Sequence, residues 1–350
     1  MLYDIFKYSD TFAKVQAMSG KLLKNADYDT LLSKDSIAEI ASYLKNSTHY
    51  SDDLANVNEA SLHRGQLEEI LNEAKAREFA RLIRFERGAN KRFLLTYVLK
   101  YEIEILKEVL RMLKSGLLPS FYHEVSEHFK RYFTVDIQSL SKSQSIRQFI
   151  EGLKGTDYYS VFSKMEINDG NFNIFNIEMM LDIYYFNRVF TLCEKLLSKN
   201  DAKLVREMMS RETDILNLLW IVRSKRYFNT PKEIIYSYIL PNRYMIRDAQ
   251  IKELVEAKTE EDMQAVLAST PYSKVFERDN LFLEQHFTEY MRTHERKTVR
   301  RRQYSIVTVL NYINSCDVET SNIIKIIEGK RYKLSVDEIE PYLIRNGGAA

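Results

Sequence analysis

"SCDVETSNIIKIIEGKRYKLSVDEI", residues 315–339, reads as a helix, a turn and the start of a second helix, and it restates "SRETDILNLLWIVRSKRYFNTPKEI" at residues 210–234. Asn217 corresponds to Asn322, Lys225-Arg226-Tyr227 to Lys330-Arg331-Tyr332, and Glu233-Ile234 to Glu338-Ile339. Each pair is 105 positions apart, with no gap. An offset of 110 carries the pattern back to a third copy, aligning Glu102 with Glu212 and Asp317, and Glu104 with Asp214 and Glu319. In that copy Ile103, Leu106, Leu110 and Leu113 recur at the spacing of a helical apolar face. The middle copy is apolar almost all round from Ile215 to Val222, which predicts a central, buried helix.

The flanks repeat as well. Thr230-Pro-Lys-Glu233 and Ser335-Val-Asp-Glu338 fit the capping box, with Pro231 at the first helical position. The first copy aligns Ser120 with Thr230 but has His123 in place of the Glu, so its cap is half made. Upstream, a Thr-X-Tyr marker recurs at Thr48/Tyr50, Thr156/Tyr158 and Thr270/Tyr272, where a Thr can end one helix and cap the next. Helical stretches follow each marker. The spacer "SKMEINDGNFNIFN" (163–176) reads as a loop, and the ending "NGGAA" (346–350) as a short tail.

The chain is therefore predicted to be all-α, with three similar helical domains at 1–118, 119–240 and 241–350 in a pseudo-threefold arrangement. A period above 100 residues is too long for helical solenoids, whose repeats run roughly 33–47 residues. Composition agrees: only 10 Gly and 5 Pro interrupt 350 residues, of which 45% are apolar and 29% charged. A net charge of +2 does not suggest a dedicated nucleic-acid binder. No stretch approaches 18 consecutive apolar residues, so no transmembrane segment is expected, and the first residues lack the apolar run of a secretory signal. Cys193 and Cys316 lack zinc-site spacing and read as free thiols in a reducing cytoplasm.

The triplicated helical order, the Thr-Pro-Tyr turn, the Leu181-Asp182-X-Tyr184-Tyr185 helix and the acid-X-X-Asn helices (Asp214 to Asn217, Glu319 to Asn322) resemble one family over residues 3–344. That family is the C-type central-stalk component of A/V-type rotary ATPases, the counterpart of the d component in eukaryotic vacuolar enzymes. Unit one departs from the pattern, with Lys107 in the place of the Asn and His63 in the place of the acid after Leu62. The resemblance implies a funnel of three helical domains acting as a non-catalytic rotor part of the central stalk. It implies a peripheral position on the cytoplasmic face, seated on the membrane proteolipid ring, with the shaft subunits D and F fitting into the funnel. Torque would pass through it during ion transport, and no cofactor is implied. A stand-alone helical scaffold binding soluble proteins is the alternative reading.

Residues that carry chemistry are scarce. No GxxxxGK[ST] or GxGxxG sequence is present. In "HEVSEH" (123–128) the two His residues stand at i, i+5, roughly 140° apart on a helix, which is wrong for a zincin-type metal site. Asp52-Asp53 reads as a helix-start acid pair rather than a magnesium ligand. The acid pairs Glu102/Glu104, Glu212/Asp214 and Asp317/Glu319 either sit on solvated helix faces or line a cavity that meets a basic shaft foot. Asn217 and Asn322 either tie helices together by buried hydrogen bonds or touch the partner. The basic run Arg296, Lys297, Arg300, Arg301 and Arg302 is a solvated face or a contact for an acidic partner or lipid headgroups, and nucleic acid is the weakest reading. Tyrosine (23 residues) and Phe (18) are expected mainly in the core, with some tyrosines anchoring interfaces.

Overall fold

The computed structural model describes residues 2–116, 126–163, 173–277 and 282–345, and all regular structure within them is helical. After α1 (Leu2–Ser19), one succession of helices occurs three times among the described residues. It runs first through α2 (Asn25–Leu32), α3 (Ile37–Ser47), α4 (Ser51–Leu54), α5 (Arg64–Phe85), α6 (Gly88–Ser115) and α7 (Glu127–Lys130). It returns as α8 (Ile137–Leu140), α9 (Ile146–Gly152), α10 (Tyr159–Phe162), α11 (Ile174–Leu196), α12 (Lys199–Arg226) and α13 (Lys232–Ser237). The last passage is α14 (Asp248–Glu256), α15 (Glu260–Ala268), α16 (Ser273–Phe276), α17 (Leu283–Arg301), α18 (Ile306–Arg331) and α19 (Val336–Ile339).

The second helix of each passage starts on a side-chain cap. Ser36, Ser145 and Thr259 accept the backbone N–H of Glu39, Gln148 and Asp262 respectively. In return the Glu39, Gln148 and Asp262 side chains accept the backbone N–H of Asp35, Gln144 and Thr259. At the other end of these helices, Thr48, Thr156 and Thr270 each donate a hydroxyl to a carbonyl of the last turn, at 2.6, 2.7 and 2.7 Å. The Thr of each Thr-X-Tyr marker thus closes a helix, and at Thr48 the hydroxyl also accepts the N–H of Tyr50, the residue just before α4, at 3.3 Å. Each of the three longest helices is followed by a left-handed residue: Gly116, Asn229 and Lys333, at φ 68°, 45° and 56°.

Two expected details differ. Thr230 does not cap α13: the helix begins one residue later, with Pro231 at the cap position, and the Thr230 N–H, which a capping box would give to Glu233, goes to the Ser224 carbonyl. The spacer loop ends at Asn173, whose side chain accepts the Asn176 N–H, so Ile174–Asn176 form the first turn of α11. Residues 164–172 of that spacer, Ser120, His123 and the tail 346–350 lie outside the described residues. At α19, Glu338 does return to Ser335, accepting its backbone N–H and its hydroxyl at 2.8 Å each.

The chain divides into two compact units. One takes Met1–Glu86 together with Tyr272–Ala350, and the other is Arg87–Pro271. In the first, α18 packs against α1, α5 and α17. Its core joins Leu31, Leu44 and Leu67 from the start of the chain to Ile323, Ile326 and Ile339 near its end. In the second, α11 packs between α6 and α12. The run expected to be buried on α12 is so: Ile215 and Leu218 through Val222 are core residues, and Leu216 is half-buried. Each such side chain contributes about 1.5–3 kcal/mol by leaving water.

Candidate functional site

Three buried carboxylates organise the two units, one on each of α6, α12 and α18. Glu102, Asp214 and Glu319 are 1%, 0% and 3% exposed. A carboxylate so buried must be paired or densely hydrogen-bonded. Glu102 accepts the backbone N–H of Thr134 and Val135 at 2.6 and 2.9 Å, the Thr134 hydroxyl at 3.0 Å, and the Tyr158 hydroxyl at 3.2 Å. Asp214 accepts three successive backbone N–H groups, those of Tyr244, Met245 and Ile246, at 3.0, 2.7 and 3.2 Å. Glu319 accepts the Leu23 N–H at 2.5 Å and the Tyr50 hydroxyl at 2.9 Å, with a His49 ring nitrogen 2.7 Å away.

The donors obey one rule. Val135, Ile246 and Leu23 each stand two residues ahead of a short helix, α8, α14 and α2 respectively. Glu102 and Asp214 therefore sit where backbone N–H groups converge before a helix start, an arrangement that favours negative charge, and Glu319 takes one such N–H. Burial outweighs the hydrogen bonds at Glu102 and holds its carboxyl above the ordinary value.

This geometry corrects the register of the first copy. An offset of 110 equates Glu102 with Glu212, but the shared hydrogen bonds equate Glu102 with Asp214 and Glu319. Acids two positions apart project about 200° apart around a helix, so one member of each pair points inward and the other outward. The outward members are Glu104, which is exposed and 3.0 Å from Lys107; Glu212, which is half-buried; and Asp317, half-buried and 3.5 Å from Lys75.

Three residues beyond the inward acid, Asn217 and Asn322 are both fully buried. Each side chain exchanges two hydrogen bonds with one peptide segment, as a neighbouring strand would. Asn217 donates to the Leu240 carbonyl at 3.1 Å and accepts its N–H at 2.8 Å. Asn322 does the same with Ile344, at 2.9 Å for both. In the first copy that position is Ile105, not Lys107. Lys107 is buried and bridges Glu104 and Asp182, at 3.0 and 2.5 Å. Burial pushes the Asp182 carboxyl up to about 6, against the pull of the Lys107 ammonium.

The basic run lies on the last turns of α17. Lys297, Arg300, Arg301 and Arg302 are exposed, while Arg296 is half-buried and its guanidinium is shifted below its ordinary value by burial and by Arg292. Arg292 itself is internal, held by Glu295 at 2.5 Å and by the Asn311 carbonyl at 3.1 Å. Both cysteines are free and buried, and burial pushes the Cys193 thiol up to about 12. Asp53 pairs with Arg77. Among the described residues no group of His, Cys, Asp and Glu is arranged to hold a metal ion, and no helix is long and apolar enough to cross a membrane.

Sequence alone does not reveal the tyrosine hydroxyls on Glu102 and Glu319. The caps at Ser36, Ser145 and Thr259 do have a legible signal, a hydroxyl residue three positions before Glu, Gln or Asp.

Comparison with known proteins places this architecture. The sequence pattern of the ATP synthase (C/AC39) subunit family matches residues 11–342. The C component of the A-type ATP synthase of Methanocaldococcus jannaschii is 22% identical over 98% of this chain and 88% of its own length. That of Methanococcoides burtonii is 27% identical, covering 96% of this chain and 94% of its own. That of Methanosarcina mazei is 25% identical, covering 96% and 92%.

Proposed function

The chain belongs to the ATP synthase (C/AC39) subunit family, a structural and not a catalytic part of that complex, and on that premise we propose that it is the rotor socket of an A/V-type ATPase. In this reading three modules, near 1–118, 119–240 and 241–350, form a pseudo-threefold funnel on the cytoplasmic face of the membrane. The funnel receives the shaft subunits D and F and rests on the proteolipid ring. Torque crosses from shaft to ring, so the chain couples ATP turnover to ion transport without touching nucleotide.

The observation that carries the proposal is the near full-length family match. What supports it physically is stiffness. A part that transmits torque must not yield internally, and the three buried acids with the two buried Asn residues tie each long helix to another segment of its unit. Hydrogen bonds to charged groups contribute about 1.5–3 kcal/mol each. Under this reading Glu104, Glu212 and Asp317 are the outward acids that a partner would meet, while Lys297, Arg300, Arg301 and Arg302 offer a contact for lipid headgroups.

The test is functional uncoupling. Membranes lacking this chain should keep ATP hydrolysis by the catalytic head but lose ATP-driven ion pumping, and the purified chain should restore pumping. Pumping that persists at full rate without the chain would refute the rotor role.

A further inference from the structure

Asp214 binds the backbone N–H groups of Tyr244 and Met245, and the side chains of both residues stay outside, 42% and 45% exposed. The Arg211 guanidinium lies over the Tyr244 ring at 4.7 Å and reaches the Met245 sulfur at 4.0 Å. These three side chains make a ledge whose backbone is fixed by a buried charge. Beside it opens a cavity of about 640 Å³ at the α11–α12 turn, lined by Lys199, Lys203, Arg206 and Arg243 against the carboxylates of Glu194 and Glu207. Arg206 is paired with Glu194 and Arg243 with Asp248. Lys199 and Lys203 are exposed and have no ion-pair partner among the described residues.

We propose that this ledge and cavity receive an acidic, amphipathic helix of a partner protein, with its carboxylates on Lys199 and Lys203 and its apolar edge on Tyr244 and Met245. Tyr, Met and Arg are the residue types enriched at the centres of protein interfaces. The hollow is concave, which suits the convex side of a helix and not a flat lipid surface. A cavity also borders the buried acid of the other unit. It measures about 300 Å³, adjoins Glu319 and is lined by Lys24, Arg292, Arg296 and Ser315. Ser315 is the counterpart of Ser210, which lines the first cavity, at the same 105-residue offset.

The charge sign is thus opposite to that of an acidic socket. The best-conditioned carboxylates are used internally, and the hollows beside them are basic. The proposal rests on the rotor reading and adds to it: the partner is the shaft, and its foot is acidic where it meets this ledge.

The experiment measures binding of the purified full chain to the purified shaft pair D–F, and separately to anionic phospholipid vesicles. Variants are K199E/K203E and Y244A/M245A, with R300E/R301E as a control for basic charge elsewhere; all six positions are exposed, and circular dichroism confirms folding. Each of the first two variants is expected to weaken shaft binding by about tenfold or more, the lysine pair most at low salt, with the control unchanged. Shaft binding equal to wild type in both variants overturns this inference while leaving the rotor reading intact. A wild-type chain that does not bind the shaft overturns both. Loss confined to vesicle binding overturns the helix in favour of lipid.

Discussion

Leu23 donates its backbone N–H to the Glu319 carboxylate at 2.5 Å, joining positions 296 residues apart. Glu102 and Asp214 take the equivalent N–H from Val135 and Ile246, just ahead of them in the chain. For Glu319 nothing of the kind follows among the described residues, and the start of the chain fills the place. The bond lies within the compact unit that contains both Met1–Glu86 and Tyr272–Ala350, alongside the apolar core the two segments share.

Glu319→Ala is expected to loosen both chain ends together, because it strands the Leu23 N–H and the Tyr50 hydroxyl in a dry site. The expected loss is about 3 kcal/mol. Tyr50→Phe removes one bond only and should cost about 1 kcal/mol. Urea denaturation gives both values, and amide exchange at Leu23 should accelerate in the first variant alone.

Asn217→Ala and Asn322→Ala each leave one buried N–H and one buried carbonyl without a partner, at Leu240 and Ile344. A loss of about 2 kcal/mol is expected for each. Asn322→Asp should be worse than Asn322→Ala, since it sets a carboxylate against the Ile344 carbonyl. Equal stability of the Asp and Ala variants, measured by thermal melts, would contradict the assigned bonds.

Gly329 lies on α18 directly under Ile339 of α19, and a Cβ there would overlap the Ile339 side chain. Gly329→Ala is therefore expected to destabilise by about 1–3 kcal/mol despite its better helix propensity. In a double-mutant cycle with Ile339→Ala, which removes the Cγ atoms that the new Cβ meets, the two losses should be less than additive; strictly additive losses would place the strain elsewhere.

The Asp182 carboxyl has a folded-state value of about 6, raised by burial above its unfolded value. The folded state therefore holds a proton that the unfolded state has released. This contribution is fully present below about pH 4 and is lost as pH rises through about 6. Wild type should lose stability between about pH 4.5 and 6.5 relative to Asp182→Asn, read as the difference between their urea midpoints. A constant difference across that range would remove the assignment.

The helical class and the burial of α12 were legible because apolar periodicity survives in a single sequence. The 105-residue offset was legible because Lys-Arg-Tyr and the Asn positions are shared between the last two copies. The first copy was misregistered by two residues, since Glu102 and Glu104 are chemically alike and Ile105 carries no trace of the Asn. Only the third dimension shows which acid points inward. The Tyr158–Glu102 and Tyr50–Glu319 bonds, across 56 and 269 positions, have no local signature at all. At Thr230 the capping pattern meets the end of α12: the Thr230 N–H bonds back to the Ser224 carbonyl past left-handed Asn229, so one short segment both ends a helix and leads into the next.

The most direct test of the central claim is capture of a tagged copy from gently solubilised native membranes, with every copurifying chain identified by mass spectrometry. Shaft subunits D and F together with the ring proteolipid are the expected companions, and they should remain after reversal of Glu104, Glu212 and Asp317 to Lys if the basic hollow is the shaft contact. Recovery of soluble proteins alone, with neither shaft nor ring, would contradict the rotor assignment and leave a helical scaffold in its place.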